Sequence, residues 1–353
     1  MKTRLYLILT VLSVSVFMFS GYVLSANQRP NTLAELVLYK GNDRQKILEE
    51  GAQKEGNLTF YTSGILKQAV RPVVNTFQKK YPFIKVRIWR AGSTTLLPKV
   101  LEEHKAGSHQ FDVIESTQMT QMALRNSGII QSFYSPNLIN IEEGAITKAP
   151  NGGVFQAGFR ESGIGVGYNT KLITREQLPK TYHELLDPRW KGKLAITGTL
   201  GGRTWVGTML VAYGEQFVKQ IAKQDFDVHF VSGRALLDMV IAGEYPFSPT
   251  LYDSHALNSK KNGAPCDWVP LEPVHINLGQ IALSKYSSHP HAALLFIDHE
   301  LSKKSAEIHK DSGYATTRID VPGRKTYKKF YSMKSKEEAQ KWFDLFERLF
   351  LLR

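Results

Sequence analysis

Four short stretches of this chain concentrate hydroxyls, helix-start backbone N–H groups and one arginine: Thr62-Ser63, Ser93-Thr94-Thr95, Ser116-Thr117 and Gly198-Thr199-Leu200-Gly201-Gly202-Arg203-Thr204. Groups of this kind hold a polar or anionic partner through hydrogen bonds without reacting with it. Nucleophilic and metal-assisted chemistry needs other patterns. No Gly-x-Ser-x-Gly elbow and no His-Glu-x-x-His helix occurs, and Cys266, the only cysteine, lacks a local protease signature. His289, His291, His299 and His309 are spaced so that several do not share one helix face, so no zinc site is expected, nor any resident cofactor. The chain reads as a binding protein and not as an enzyme.

The first three stretches end successive strands. Asn57 to Thr62, Ile84 to Trp89 and Phe111 to Ile114 have strand character, separated by helices at Ile65 to Lys80 and Leu96 to Ala106, with a further helix ending near Gly128. Pro72 kinks or restarts the first of these helices. Strands alternating with helices imply right-handed crossovers and a mainly parallel sheet. Ligands meet such a sheet beyond the carboxyl ends of its strands. Ser63, Ser93, Thr94 and Ser116 therefore fall on one edge, each stretch the cap of a following helix. Ser and Thr also cap helices with no function attached; three in a row at this edge suit a polar ligand.

The fourth stretch follows a strand at Lys193 to Ile196 and opens a helix over Trp205 to Lys223. Without Gly-Lys-Ser/Thr it is not a nucleotide P-loop. A permissive backbone with Thr199, Arg203 and Thr204 suits an anion, and equally suits a plain capped helix with a solvent-facing arginine. Upstream, Leu185 to Lys193 stops a helix at Asp187-Pro188 and places Trp190, an expected anchor of the second lobe, among solvated cations. Val154 to Tyr168 is one long extended segment whose glycines suit a strand changing direction between lobes. Gly163, Gly165 and Gly167 lack the spacing and the following helix of a dinucleotide loop. Leu271 to Leu283 is a second crossing strand. At the C-terminus Trp342, Phe343, Leu345, Phe346, Leu349 and Phe350 recur at helical spacing, as for a helix packed on its own protein.

With 353 residues, of which 42% are hydrophobic, the chain suits two lobes with a core each and excludes disorder. Lys2 and Arg4, the uncharged run Leu5 to Phe19 and the small residues Ser25 and Ala26 have the order of a secretory signal. That run is shorter than the ~20 apolar residues of a membrane span. A single cysteine permits no internal disulfide, so the cores must hold the fold. The net charge of +13 suggests anionic partners. The cations are scattered and no nucleic-acid motif occurs, so no nucleic-acid partner is expected.

An ordered series of blocks resembles the type 2 periplasmic solute-binding proteins of ABC importers, in the extracellular family 1 group that includes ferric-iron-binding proteins. The matching blocks include Glu55-Gly56-Asn57-Leu58-Thr59-Phe60-Tyr61-Thr62-Ser63, Phe77-Gln78-Lys79-Lys80-Tyr81-Pro82, Arg90-Ala91-Gly92-Ser93 and Phe111-Asp112-Val113. Gly167-Tyr168-Asn169-Thr170, Leu186-Asp187-Pro188-Arg189-Trp190-Lys191-Gly192-Lys193, Ala242-Gly243-Glu244-Tyr245 and His289-Pro290-His291-Ala292-Ala293 continue it in family order. The resemblance implies an α/β fold of two lobes, each a mainly parallel sheet flanked by helices, joined by hinge strands at Val154 to Val166 and Val274 to Ala282. It divides the chain into a signal peptide (1–26), first lobe (27–160), second lobe (161–275), return segment of the first lobe (276–318) and a C-terminal basic segment with an amphipathic helix (319–353).

The resemblance also implies ligand contacts at Ser63, Ser93, Thr94, Ser116, Tyr168, Thr199, Arg203, Thr204 and Tyr252, although Tyr168 equally suits packing beside the hinge. It implies a monomer outside the inner membrane that passes a small-molecule solute to an ABC permease. One departure bears on that solute. Ferric-binding members carry two adjacent tyrosines where this chain has Thr250-Leu251-Tyr252-Asp253-Ser254-His255, leaving Tyr252 and Asp253 as hard-oxygen donors for Fe(III). The expected ligand is a small organic anion of phosphate, phosphonate, sulfonate or carboxylate type, with ferric iron as the alternative and a secreted hydrolase as a more distant one.

Overall fold

The computed structural model describes residues 29–322, 324–331 and 335–352; the expected signal segment lies outside them. Three strands, Asn57–Thr62, Lys85–Arg90 and Val113–Thr117, run parallel, with Asn57 opposite Lys85 and Phe60 opposite Val113. The helices Arg71–Lys80 and Ser93–Lys105 make the crossovers between them. Pro72 does restart its helix: a wide π-type turn over Leu66–Val70 precedes Arg71–Lys80, and proline sits in the first turn, where its missing N–H costs nothing.

Two long strands join the lobes. Val154–Asn169 and Val274–Ser284 pair antiparallel from His275 opposite Ile164 to Ile281 opposite Ala157. The second of them continues beside Val113–Thr117, with Ile281 opposite Glu115, and so enters the first-lobe sheet. The far half of Val154–Asn169 takes Phe247–Tyr252 on one side and Cys266–Val269 on the other, which builds the second lobe. A small parallel pair, Ala195–Thr197 with Asp227–His229, completes that lobe. The molecule is the expected two-lobed α/β fold. Its parallel pairs are the helix-connected ones, and the two long crossing strands run antiparallel to each other and to the strands beside them, apart from the short parallel pairing of Val274 and His275 with Lys329 and Phe330.

The helix expected over 205–223 is two helices, Leu200–Tyr213 and Glu215–Ala222, broken at Gly214. The first begins five residues earlier than its apolar spacing suggests because Gly201 and Gly202 are helical. A Cβ on Gly202 would lie 1.9 Å from the Thr197 carbonyl oxygen, so only glycine lets this helix start against the preceding strand. At Gly207 a Cβ would lie 2.0 Å from the Trp342 ring. That gap seats the C-terminal helix Lys336–Phe346, whose Leu345 and Phe346 join a core with Trp205, Tyr182 and Phe247. The helix packs on its own protein, as its spacing indicates. Trp190 is buried in the same core, edge-on to Phe247 at 4.9 Å between centroids, with Arg189 over its ring.

Between the return strand Ala315–Thr316 and this helix, the chain crosses the hinge a third time. Lys329–Phe330 pairs with Val274 and His275, and the Lys329 ammonium reaches Glu142 at 2.9 Å and the buried Glu161 at 2.7 Å. Glu161 also accepts from the Tyr331 hydroxyl. Among the described residues no helix is long and apolar enough to cross a membrane.

Candidate solute-binding cleft

The carboxyl ends of the three parallel strands form the first-lobe edge. The hydroxyls there are not helix caps. Gly92 and Thr117 hold the cap positions without a side-chain capping bond, and Ile65 holds that position after Ser63. Two of the serines donate within the edge itself: Ser116 donates to Ser93 Oγ at 3.1 Å, and Ser63 offers its N–H at 2.9 Å and its hydroxyl at 3.4 Å to Glu115. The helix N-termini at Ser93 and Gln118 thus lie at this edge without a side-chain cap.

Glu115 organises the edge from beneath. It is 1% exposed, accepts from Thr62 Oγ1 at 2.5 Å, and pairs with Arg160 on the first crossing strand. Arg160 lies over the Tyr314 ring, 4.7 Å from its centroid. A buried pair of this kind fixes geometry, and removing one partner strands the other charge. The sequence reasoning missed both residues. The signal available was a glutamate inside the otherwise apolar run Val113-Ile114 and an arginine inside a glycine-rich strand. It also missed Arg90, an exposed cation at the end of its strand whose Nε donates to Gly64 O at 3.2 Å.

The second-lobe edge is the start of Leu200–Tyr213, with Thr199 at the cap. Thr199 shares its hydroxyl with Thr197 Oγ1 at 2.8 Å, and Thr204 is buried and donates back to Gly201 O at 3.1 Å. Arg203 donates through Nε to Gly198 O at 3.3 Å, reaches Glu347 just past the C-terminal helix at 3.0 Å, and lies over Phe343 at 5.1 Å from the ring centroid. Tyr252 sits beside Gly201 and Gly233, and burial pushes its phenol up to about 12, so it is a neutral hydroxyl at neutral pH. Asp253 turns away into the hinge: its Oδ1 accepts from Gly163 N at 3.0 Å, Ser254 N at 2.6 Å and Ser162 Oγ at 3.1 Å.

A cavity of about 670 Å³ brings the two edges together. Ser93, Thr94 and Thr117 line it from the first lobe, Leu200 and Arg203 from the second, and Lys336 and Phe343 from the C-terminal helix. A narrow space of about 20 Å³ runs on beneath it, reaching Thr204 and Tyr252. Of the expected contacts, Ser93, Thr94 and Arg203 face one space, and Thr204 and Tyr252 line its extension. Ser63 and Ser116 sit beneath the first-lobe edge, and Thr199 caps the helix that carries Arg203. Tyr168 stands apart: it is 4% exposed and packed in the second-lobe core. Lys336 and Phe343 entered through a helix the sequence had marked as packing only; their i, i+7 spacing with Ala339 between was the available sign.

The family model for bacterial extracellular solute-binding proteins matches residues 63–307. An uncharacterised protein of Haemophilus influenzae is 26% identical over 269 residues, covering 73% of this chain and 76% of that protein. Among solved structures, iron-bound HitA from Pseudomonas aeruginosa superposes with a TM-score of 0.66 at 19% identity, over 84% of this chain and 99% of that one. AfuA from Actinobacillus pleuropneumoniae, with fructose-6-phosphate bound, has a TM-score of 0.64 at 22% identity over 85% and 100%. Two lobes joined by crossing strands, with a lined cavity between them and a family match spanning both, identify the chain as a member of the bacterial extracellular solute-binding protein family.

Proposed function

We propose that this protein, freed from its leader outside the inner membrane, works as a monomer that traps a small organic anion between its lobes and delivers it to an ABC permease. The family role is solute binding for an importer; the anion is the finer step. What carries it is Arg203, which stands at a helix start across one cavity from Ser93, Thr94 and the helix N-termini of the first lobe. Phosphate, phosphonate, sulfonate or carboxylate oxygens would accept from these donors by charge-assisted bonds. On closure Arg203 exchanges Glu347 for the ligand, which gives the closed state the differential affinity that drives it.

Ferric iron is the second reading, favoured by Tyr252 at the second-lobe edge and by the iron bound in HitA. The donor set argues against it: Tyr252 lacks a second adjacent tyrosine, and Asp253 Oδ1 is committed to Gly163 and Ser254 in the hinge. AfuA, with a sugar phosphate, is a neighbour of the same fold. A thermal-shift screen of ferric citrate, phosphonates, sugar phosphates, sulfonates and polyamines tests the choice. Anions are expected to give the largest stabilisation, by mass action on the native state. A dominant, coloured ferric complex would replace this reading.

A further inference from the structure

The cavity is larger and more apolar than a bare oxyanion needs. At about 670 Å³ it falls within the ~300–1,000 Å³ of sites that enclose whole organic ligands. Leu97 and Met122 line it from the first lobe, Leu200 from the second, and Ala339 and Phe343 from the C-terminal helix. Inorganic phosphate or a metal ion would leave that surface in water, and burying it is the main source of affinity available here. The same cavity holds two cations, Arg203 and Lys336, and the Thr117 hydroxyl, whose oxygen is buried without a protein partner.

One wall comes from outside the family match, which ends at residue 307. Lys336, Ala339 and Phe343 share a helix face, and Phe343 also carries the Arg203 guanidinium over its ring. Met119 of the first lobe packs against Ala339 and Trp342 of the same helix, so the lobes meet on this wall. Resting on the organic-anion reading, we propose that the solute is an amphipathic anion, an acidic head joined to an aryl or alkyl body, and that the C-terminal helix is the wall that selects it. The head takes Arg203, Lys336 and the first-lobe donors. The body lies between Leu97 and Met122 on one side and Phe343 on the other.

Titration calorimetry on the full mature chain with phenylphosphonate, methylphosphonate and inorganic phosphate tests this. Phenylphosphonate is expected to bind about tenfold or more tightly than methylphosphonate, from the extra apolar area buried. Phe343→Ala should erase most of that preference, read as the ratio of the phenylphosphonate and methylphosphonate affinities, because losing the ring beneath Arg203 affects the head group of both probes alike. Lys336→Glu, at an exposed position, should weaken all three probes alike. If circular dichroism shows Phe343→Ala to be unfolded, Leu97→Ala on the facing wall supplies the same comparison. Methylphosphonate or phosphate binding as tightly as phenylphosphonate would overturn the amphipathic solute and leave the organic-anion reading standing. Ferric citrate binding while all three probes fail would overturn both.

Discussion

The two edges of the cleft are held in opposite ways. The first-lobe edge rests on Glu115 and Arg160, an ion pair with side chains 1% and 5% exposed, tied to the backbone at Ser63 and to Thr62. The second-lobe edge presents Arg203, 20% exposed, on a bridge to Glu347, which is 49% exposed. The first arrangement cannot open without leaving a buried charge, whereas the second exchanges partners at little cost. Damage to the first should therefore appear as lost stability, and damage to the second as lost affinity with stability nearly intact.

The largest effect is expected from Arg160→Met, which leaves Glu115 buried without its countercharge. Urea denaturation should show a loss of about 3–5 kcal/mol, and the double variant Glu115→Met/Arg160→Met should recover part of it. A loss below about 1 kcal/mol would mean that this edge is not held by the pair. Arg203→Gln should instead lower affinity for an anionic ligand about tenfold or more by calorimetry, as for a lost charged hydrogen bond. Its unfolding free energy should stay within about 1 kcal/mol of the parent, because the Glu347 bridge is half solvated. Equal damage to stability in both variants would erase the contrast.

Between the edges, the hinge should respond to pH through Asp253. Burial pushes its carboxyl up to about 6, against an ordinary value of about 3.9. Between those values the folded chain holds a proton that the unfolded chain has released, so this group lowers stability as pH rises from about 4 to about 6. Asp253→Asn removes that contribution, and its stability relative to the parent should grow from about pH 4.5 to about pH 6.5 in urea titrations. A constant difference would mean that Asp253 titrates normally. The smallest effect belongs to Glu347→Gln. By freeing Arg203 it should tighten anion binding no more than about fivefold, as expected for an exposed bridge.

Local pattern carried the architecture. The strand at Asn57–Thr62, the proline restart, the long crossing strand and the apolar C-terminal helix were all legible, because periodicity and breakers decide them. The glycine-rich stretch misled. Gly201 and Gly202 look like a loop, yet they serve the close approach of helix to strand, which only the packed structure displays. The serines misled in the same way: their type fitted caps, but Glu115, more than fifty residues along the chain from Ser63, claims that hydroxyl. Arg203 was legible as a cation at a helix start. Its partners Glu347 and Phe343 were not, because they lie on and just past a helix some 140 residues later. The resemblance suits Tyr168 equally to ligand contact and to packing beside the hinge, and the structure packs it in the second-lobe core.

The most direct measurement is calorimetric titration of the parent protein and Arg203→Gln, side by side, with phenylphosphonate and with ferric citrate. Saturable one-to-one binding of the phosphonate to the parent, weakened about tenfold or more in the variant, is the predicted result. Phosphonate affinity unchanged in Arg203→Gln, or tight binding of ferric iron alone, would contradict an anion held across the cleft by Arg203.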